Sequence, residues 1–185
     1  MSTLSIYNEA GIALAPACRD YHAIAEPLAE IGVRFERWRA NRPLAADADQ
    51  QTVLNAYREA VDRLNRQVGF RSVDVVSLGP DHPSKQEMRQ KFLNEHIHAD
   101  FEIRFFVDGS GLFYLHVADK VYLILCEKGD LISVPAHTPH WFDMGKNPDF
   151  KCIRFFTTEK GWEAEFTGSG IAKQLPSFDD YVVRA

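Results

Sequence analysis

The chain has few cysteines and no long run of apolar residues. Cys18, Cys126 and Cys152 are far apart and form no CxxC pair, which argues against a disulfide framework and a thiolate zinc site and favours buried free thiols. No stretch approaches the ~20 apolar residues that cross a bilayer, and the N-terminal segment lacks the basic and apolar regions of a signal peptide. We therefore expect a soluble, cytoplasmic protein that does not bind membranes.

Basic residues are also too few to indicate a partner that is recognised mainly through its phosphates. Lys and Arg number 21 against 26 Asp and Glu, for a net charge of −5, so nucleic acid is not expected as a partner. The motifs HExxH, GxxxxGK[ST] and GxSxG are missing. Gly109-Ser110-Gly111 lacks the third glycine of a nucleotide-binding loop and is predicted to lie in a hairpin turn.

Apolar residues are abundant enough for a folded core. The 185 residues are 45% hydrophobic and 12% aromatic, which suits one domain of ordinary size. We predict a single domain over residues 1–185. It consists of a helix-rich portion with a few strands at 1–94, a strand-rich core at 95–168 and a C-terminal tail at 169–185.

The first half of the chain shows mainly helical patterns. Apolar residues recur every three or four positions, most clearly in the longest predicted helix. Pro27 is expected to bend or shorten the first helix, and Ser84 with Glu87 matches a capping box at the start of the last one. The predicted helices are Asp20–Ile31, Asp49–Val68 and Ser84 to about Leu93, and the predicted strands are Val33–Trp38 and Ser72–Leu78.

Beyond residue 95 the pattern changes to short apolar segments that alternate with turn residues. Such spacing is typical of a β-sandwich or barrel. The fold class is therefore mainly β with α (α+β), as a β-barrel with helices packed outside it. The predicted strands are Ala99–Val107, Gly111–Val117, Lys120–Cys126, Leu131–Val134, His140–Met144 and Phe150–Thr157.

A group of histidines and one acid has the spacing of a metal site. In an extended segment alternate side chains share a face, so His96, His98 and Glu102 point to one side of a sheet. His140 from a neighbouring strand would complete a set of three imidazoles and one carboxylate. This set suits iron(II), nickel, cobalt, manganese or zinc.

Two less specific interpretations compete with a reactive metal centre. A lone HxH pair is more often made of surface or hydrogen-bonded core histidines, although Glu102 and His140 weaken that interpretation. Four protein ligands also suffice for a closed, purely structural tetrahedral zinc site. A six-coordinate ion would instead keep two positions for two adjacent oxygens of a chelating small molecule, without a further cofactor.

Two segments resemble the two sequence motifs of the cupin superfamily. Residues 96–109 fit HxHx3Ex6G and residues 129–144 resemble Gx5PxGx2Hx3N. His137 stands where the second motif has Gly, Met144 where it has Asn, and Gln90 where the first motif has a leading Gly. The matching residues are His96, His98, Glu102, Gly109, Gly129, Pro135 and His140.

Longer blocks resemble bacterial acireductone dioxygenases, and this likeness implies both fold and function. The expected fold is a cupin jelly roll, and the expected reaction is oxidation of 1,2-dihydroxy-3-keto-5-(methylthio)pentene by O2 in methionine salvage. Fe(2+) would give 2-keto-4-(methylthio)butyrate and formate, whereas Ni(2+) would give methylthiopropionate, carbon monoxide and formate. The blocks are residues 32–38, 91–116, 126–145 and 161–168.

Other residues are candidates for contacts with the substrate. Arg104 has the parity of Glu102, and Arg154 lies in an apolar strand; either could bind a substrate oxyanion as a catalytic residue, or pair with a buried acid. His137 is either a base near the metal or a solvent-facing turn residue, and His116 is predicted to pack in a strand. Candidate walls for a thioether tail are Phe105, Phe142, Phe156 and Trp162.

Two other functions fit the same motifs. The chain could be a cupin-type protein that binds or senses a small ligand through its metal, or a cupin enzyme, such as an isomerase, that uses no oxygen. We expect a monomer whose partners are one divalent metal ion, the small substrate and O2.

Overall fold

The computed structural model describes residues 1–184, and two antiparallel sheets dominate it. The predicted mainly β fold with external helices is confirmed. The strands are β1 Thr3–Asn8, β2 Arg34–Arg37, β3 Ser72–Leu78, β4 His96–Ile97, β5 Glu102–Val117, β6 Lys120–Glu127, β7 Asp130–Val134, β8 His140–Asp143, β9 Phe150–Phe156 and β10 Glu165–Phe166. The helices are α1 Tyr21–Glu30, α2 Gln50–Ala56, α3 Arg58–Val68, α4 Lys85–Phe92 and α5 Phe178–Arg184, with a 3-10 turn at Ile171–Gln174.

Strand β5 belongs to both sheets. Its C-terminal half pairs with β6 and β8 in the order β1-β6-β5-β8-β4-β10, and its N-terminal half pairs with β7 and β9, which in turn pair with β2 and β3. The sequence predicted two strands here, separated by a turn at Asp108-Gly109, and this prediction is wrong. The chain instead continues through a register shift between Phe106 and Asp108, so Gly109-Ser110-Gly111 is part of a strand and not of a hairpin.

The register shift decides which side chains of β5 face the interior. Before it, Phe106 belongs to the core cluster between the sheets, whereas Phe105 packs outside against α2 and α3. After it, Phe113 faces the interior and Tyr114 packs outside with the C-terminal segment. An extra residue in one strand changes the parity of all later side chains. The single strand can therefore contribute to the interior of both sheets.

The helices differ from their predictions in two places. The long helix predicted at Asp49–Val68 is two helices, because Tyr57 leaves helical geometry (φ −111°, ψ 20°) while its ring is buried against the outer face of β5. The predicted capping box at Ser84 is absent. Ser84 has φ −95° and ψ 14° instead of the extended backbone of an N-cap, and its side chain makes no cap hydrogen bond.

Several elements were not predicted at all. Strand β1 pairs along β6, the two-residue strands β4 and β10 pair with each other, and the predicted tail contains α5. The remaining predicted strands and the first helix are present within a few residues of their predicted ends, and Pro27 is accommodated inside α1. Among the described residues, no helix combines the length and apolar character that crossing a membrane requires.

A buried carboxylate connects the C-terminal helix to the strands and to α4. Asp143, at the end of β8, accepts hydrogen bonds from Arg89 Nε at 2.7 Å and Nη2 at 2.9 Å, from Gly145 N and from Phe178 N. Arg89 is in α4 and Phe178 begins α5. This one side chain therefore holds both helices against β8.

We predict that Gly109→Ala destabilises the protein more than Gly69→Ala. Both glycines have positive φ (63° and 67°), which costs a residue with a Cβ roughly 1–2 kcal/mol. A Cβ at Gly109 would also collide with the backbone of Asp149, whereas one at Gly69 meets open space. We expect a further loss of about 1–3 kcal/mol at Gly109, measured by urea denaturation. Equal losses in the two variants would contradict the close approach of the β5 backbone to residue 149.

Candidate metal centre

Three histidines converge inside the sheet that contains β8 and β4. His96 in β4 is the register partner of His140 in β8, and His98 follows β4 directly. One ligand nitrogen from each imidazole lies within 4.8 Å of the others. Glu102, the first residue of β5, lies beside them. The four side chains are between 1% and 5% exposed, so the structure brings the predicted set together in the interior.

Main-chain carbonyls fix the orientation of all three rings. His96 Nδ1 donates to Asn94 O at 2.7 Å, His98 Nδ1 to Glu163 O at 2.8 Å, and His140 Nδ1 to Thr138 O at 2.7 Å. A carbonyl oxygen only accepts, so Nδ1 must carry the proton. In the neutral ring, Nε2 is then left as an unprotonated lone pair. The three free lone pairs face one another, as ligands of a metal ion do.

The two oxygens of the Glu102 carboxylate have different surroundings. Its Oε1 accepts two hydrogen bonds from Arg104, whereas Oε2 has no hydrogen-bond partner among the described residues. Oε2 lies 3.2 Å from His140 Nε2, which also lacks a hydrogen-bond partner. Two lone pairs at this distance repel each other and are costly when buried unpaired. A cation between them would satisfy both atoms, so the donor set fits a metal ion.

The surroundings favour the neutral form of His96 and His98 and the ionised form of Glu102. Burial, together with the neighbouring His140, lowers the pKa of His96 to about 4, and burial also lowers the pKa of His98. Burial alone would raise the pKa of Glu102, but Arg104 and the neighbouring histidines outweigh it and hold this pKa well below its usual value. Imidazole nitrogens together with one carboxylate oxygen suit a borderline divalent ion.

The metal-ligand cluster borders a cavity of about 480 Å³. His96, His98 and Glu102 line one part of it. Met88 and Phe92 of α4 were not predicted as site residues, although their spacing of four residues on a short helix indicated a shared face. The larger apolar residues of the lining are Val76, Met88, Phe92, Trp162 and Phe166. The site is therefore open to a small molecule on one side, unlike the closed tetrahedral alternative.

Arg104 is buried in an aromatic cage at the cavity. Its guanidinium carbon lies 4.6 Å from the ring centre of Phe142 and 4.9 Å from that of Phe113. Nε and Nη2 both donate to Glu102 Oε1, at 3.1 and 2.8 Å, whereas Nη1 has no hydrogen-bond partner among the described residues. The predicted pairing with Glu102 is present, and one nitrogen of the guanidinium, Nη1, still has no acceptor among the described residues.

Arg154 also lines the cavity and is paired with an acid. Its Nε donates to Asp74 Oδ1 at 2.8 Å and its Nη2 donates to Asp74 Oδ2 at 2.6 Å. Burial opposes the charge of Arg154, but these bonds to Asp74 raise its pKa above the usual value. The sequence did not identify Asp74 as the partner, because β3 and β9 are far apart in the chain and only their pairing places the two residues opposite each other.

The four predicted aromatic walls occupy different places. Trp162 lines the cavity and is 49% exposed, and Phe156 packs against His98 with ring centres 6.2 Å apart. Phe142 lies under Arg104. Phe105 does not fit a wall of this cavity, because it faces the other side of β5 and packs on Trp38 and Tyr57.

Two further histidines lie outside the metal-ligand cluster. His137 is exposed in a turn with φ 61°, which explains why the cupin motif has glycine at this position. His116 is near the end of β5, where Nδ1 lies 2.8 Å from Glu95 and Nε2 lies 3.0 Å from Glu9. It is a strand residue, as predicted, but its two partners are acids and not apolar neighbours.

We predict that His140→Ala abolishes metal binding. The purified protein should contain about one divalent transition ion per chain, and the variant should contain little, because one of only four donors is lost. Metal content measured by mass spectrometry checks this. The matched control is His137→Asn, which removes an imidazole three residues away, and Asn tolerates positive φ. Equal metal loss in the control, or full metal content in His140→Ala, would contradict the assignment.

Comparisons with known proteins agree with this geometry. The ARD/ARD′ family matches residues 3–164. Proteins named acireductone dioxygenase from Methylococcus capsulatus and Aquifex aeolicus are 58% and 56% identical to this chain, over 98% of it and 98% and 99% of their own lengths. A solved acireductone dioxygenase from Bacillus anthracis, with a cadmium ion in its active centre, has a TM-score of 0.78 at 27% identity, over 90% of this chain and 98% of that one. The chain belongs to the ARD/ARD′ family.

Proposed function

We propose that this protein is a metal-dependent dioxygenase that oxidises acireductone, 1,2-dihydroxy-3-keto-5-(methylthio)pentene, with O2 in methionine salvage. The metal is Fe(2+) or Ni(2+). With iron the products are 2-keto-4-(methylthio)butyrate and formate, and with nickel they are methylthiopropionate, carbon monoxide and formate. The relatives at 56–58% identity that carry this name support the proposal.

One structural observation gives the proposal its main support. Ligand nitrogens of three imidazoles and one carboxylate oxygen meet at the side of a cavity. Two of these atoms, His140 Nε2 and Glu102 Oε2, are buried without a hydrogen-bond partner among the described residues. His96, His98, Glu102 and His140 would hold the ion. When bound, the metal supplies a Lewis acid and a template for two adjacent oxygens of an enediolate.

Arg104 would bind and orient the substrate. Its buried Nη1 has no partner and is available to donate to a substrate oxyanion, in a charge-assisted hydrogen bond. The two bonds to Glu102 Oε1 hold the guanidinium in place, so little rotamer freedom is lost when the substrate binds. The same bonds leave Oε2 directed at the metal position.

Arg154 and the apolar wall would select the rest of the substrate. Arg154 is held by Asp74 and adds positive charge to a cavity that receives an enediolate. Trp162, Phe166 and Met88 offer apolar and sulfur-compatible surface for a methylthio tail. Phe142 and Phe156 would not contact the substrate. Phe142 packs against the guanidinium of Arg104, and Phe156 packs against the ring of His98.

We also propose that residues 1–185 form one domain that acts as a cytoplasmic monomer. The sharing of β5 between both sheets supports the single domain, since neither sheet could be separated from it without breaking a strand. Cytoplasmic location and the monomeric state are expectations from the sequence.

Product analysis after separate loading with Fe(2+) and Ni(2+) tests the function. We expect uptake of O2 with both metals, a keto acid and formate from the iron form, and carbon monoxide from the nickel form. A metal-stripped sample is the control. Binding of an acireductone analogue without any O2 uptake would identify a ligand-binding protein instead, and turnover under nitrogen would identify an isomerase.

We further predict that Arg104→Lys lowers kcat/KM about 10–100-fold. Lysine retains a positive charge near Glu102 but lacks the Nη1 group that would donate to the substrate. A hydrogen bond to a charged group contributes about 1.5–3 kcal/mol. Metal content should be unchanged, which separates this loss from damage to the metal site. Steady-state oxygen uptake measures kcat/KM. Unchanged kcat/KM in a variant with full metal content would show that Arg104 does not bind the substrate.

A further inference from the structure

A second concave surface lies on the outer face of the sheet that contains β7 and β9, away from the metal centre. This surface, here called the arginine groove, has a volume of about 390 Å³ and lies between the segment after β2 and helix α3. It is independent of the cavity that contains the metal ligands, with which it shares no lining residue. Its principal lining residues are Trp38, Arg39, Arg42, Tyr57, Arg63 and Arg66.

Hydrogen bonds fix the shape of the groove. Trp38 N donates to Gly129 O at 2.7 Å, and Trp38 Nε1 donates to Glu36 Oε2 at 2.7 Å. Four residues later, Arg42 N donates to Tyr57 Oη at 3.3 Å. Both ends of the segment 38–42 are therefore anchored to the body of the protein, and Arg39 and Arg42 project from an ordered backbone.

The groove collects positive charge that the protein neutralises only in part, since Arg63 is near enough to Glu36 to help lower the pKa of that carboxyl against the opposing effect of burial. Arg63 lies over the ring of Trp38, 4.2 Å from the centroid, and Arg66 is one turn further along α3. None of Arg39, Arg42 and Arg66 forms an ion pair with a described residue. Among the described lining residues, Glu59 is the only acid. Five arginines elsewhere are paired with carboxylates, namely Arg34, Arg37, Arg89, Arg104 and Arg154. Arginines without an ion pair to a described residue, such as Arg19 and Arg58, also occur on the surface, but neither of them lines the groove.

This concentration of charge is unusual because the whole chain has a net charge of −5. Four guanidinium groups around one concavity repel one another, and a bound anion would relieve that repulsion. Guanidinium forks match the oxygens of phosphate groups in particular. The acidic remainder of the protein would repel an extended polyanion, so a ligand confined to the groove fits better than nucleic acid.

We propose that the arginine groove binds a small organic molecule that carries two phosphate groups. The exposed face of Trp38 is already covered by Arg63, so recognition depends on charge and hydrogen bonds to the phosphates and not on stacking of a base. Arg39 and Arg42 approach from one wall, and Arg63 and Arg66 approach from the other. With two phosphate groups, one can neutralise Arg39 and Arg42 while the other neutralises Arg63 and Arg66.

Calorimetric titration of the metal-loaded protein with fructose 1,6-bisphosphate at low ionic strength tests the proposal, since this probe chelates metal ions weakly. We expect one site per chain, binding that weakens as NaCl is added, and weaker binding of fructose 6-phosphate. The double variant Arg39→Gln/Arg66→Gln should bind about a hundredfold more weakly, because each of the two lost charge-assisted bonds contributes about tenfold (~1.4 kcal/mol). Arg42→Gln alone should also weaken binding.

The matched control is Arg19→Gln/Arg58→Gln, which removes two exposed arginines outside the groove and changes the net charge equally. The affinity of this control for the probe should stay within about twofold of that of the parent, because neither substituted residue contacts the groove. An equal loss in both double variants would show attraction by net charge alone. Unchanged binding in the groove variant would place the ligand elsewhere, for example beside Arg154, and absence of binding to the parent would also overturn the proposal.

Discussion

The metal centre depends on three hydrogen bonds from imidazole Nδ1 atoms to main-chain carbonyls. They decide which nitrogen carries the proton, and they turn the other lone pair of each ring towards a common point. Two of the carbonyls, at Asn94 and Thr138, are two residues before the histidines that they orient. The third, at Glu163, comes from the segment that leads to β10. The position of this later segment is thus linked directly to the ring of His98.

Strand β5 supplies the second constraint, because it serves both sheets. Its first residue is the carboxylate at the metal position, and its third is the arginine that shares this carboxylate. Further along, the register shift exchanges the inner and outer faces, so that Phe106 and Phe113 both pack between the sheets. Glu102 can lie next to His140 because both sheets are joined through one continuous backbone.

The sequence was most informative where a side chain's function depends on local spacing. The spacing predicted that His96, His98 and Glu102 come together, and the cupin motif added His140. The predicted reason, parity along one extended segment, is wrong, because the chain bends at residues 99–100 between β4 and β5. The sequence was least informative where a contact joins distant segments, as for Asp74 with Arg154 or Phe166 with the cavity. The turn expected at Asp108-Gly109 shows a related limit, since a β-bulge and a hairpin turn use the same residue types.

Asp143 gives the C-terminal helix a part in the architecture of the cavity. The same carboxylate receives Arg89 from α4 and the first amide of α5, and α4 also carries Met88 and Phe92 into the cavity wall. If α5 were removed, Asp143 would lose a donor and gain access to water, and its hold on α4 would weaken. The last helix, some 40 residues after His140 in the chain, therefore stabilises the cavity wall that α4 forms.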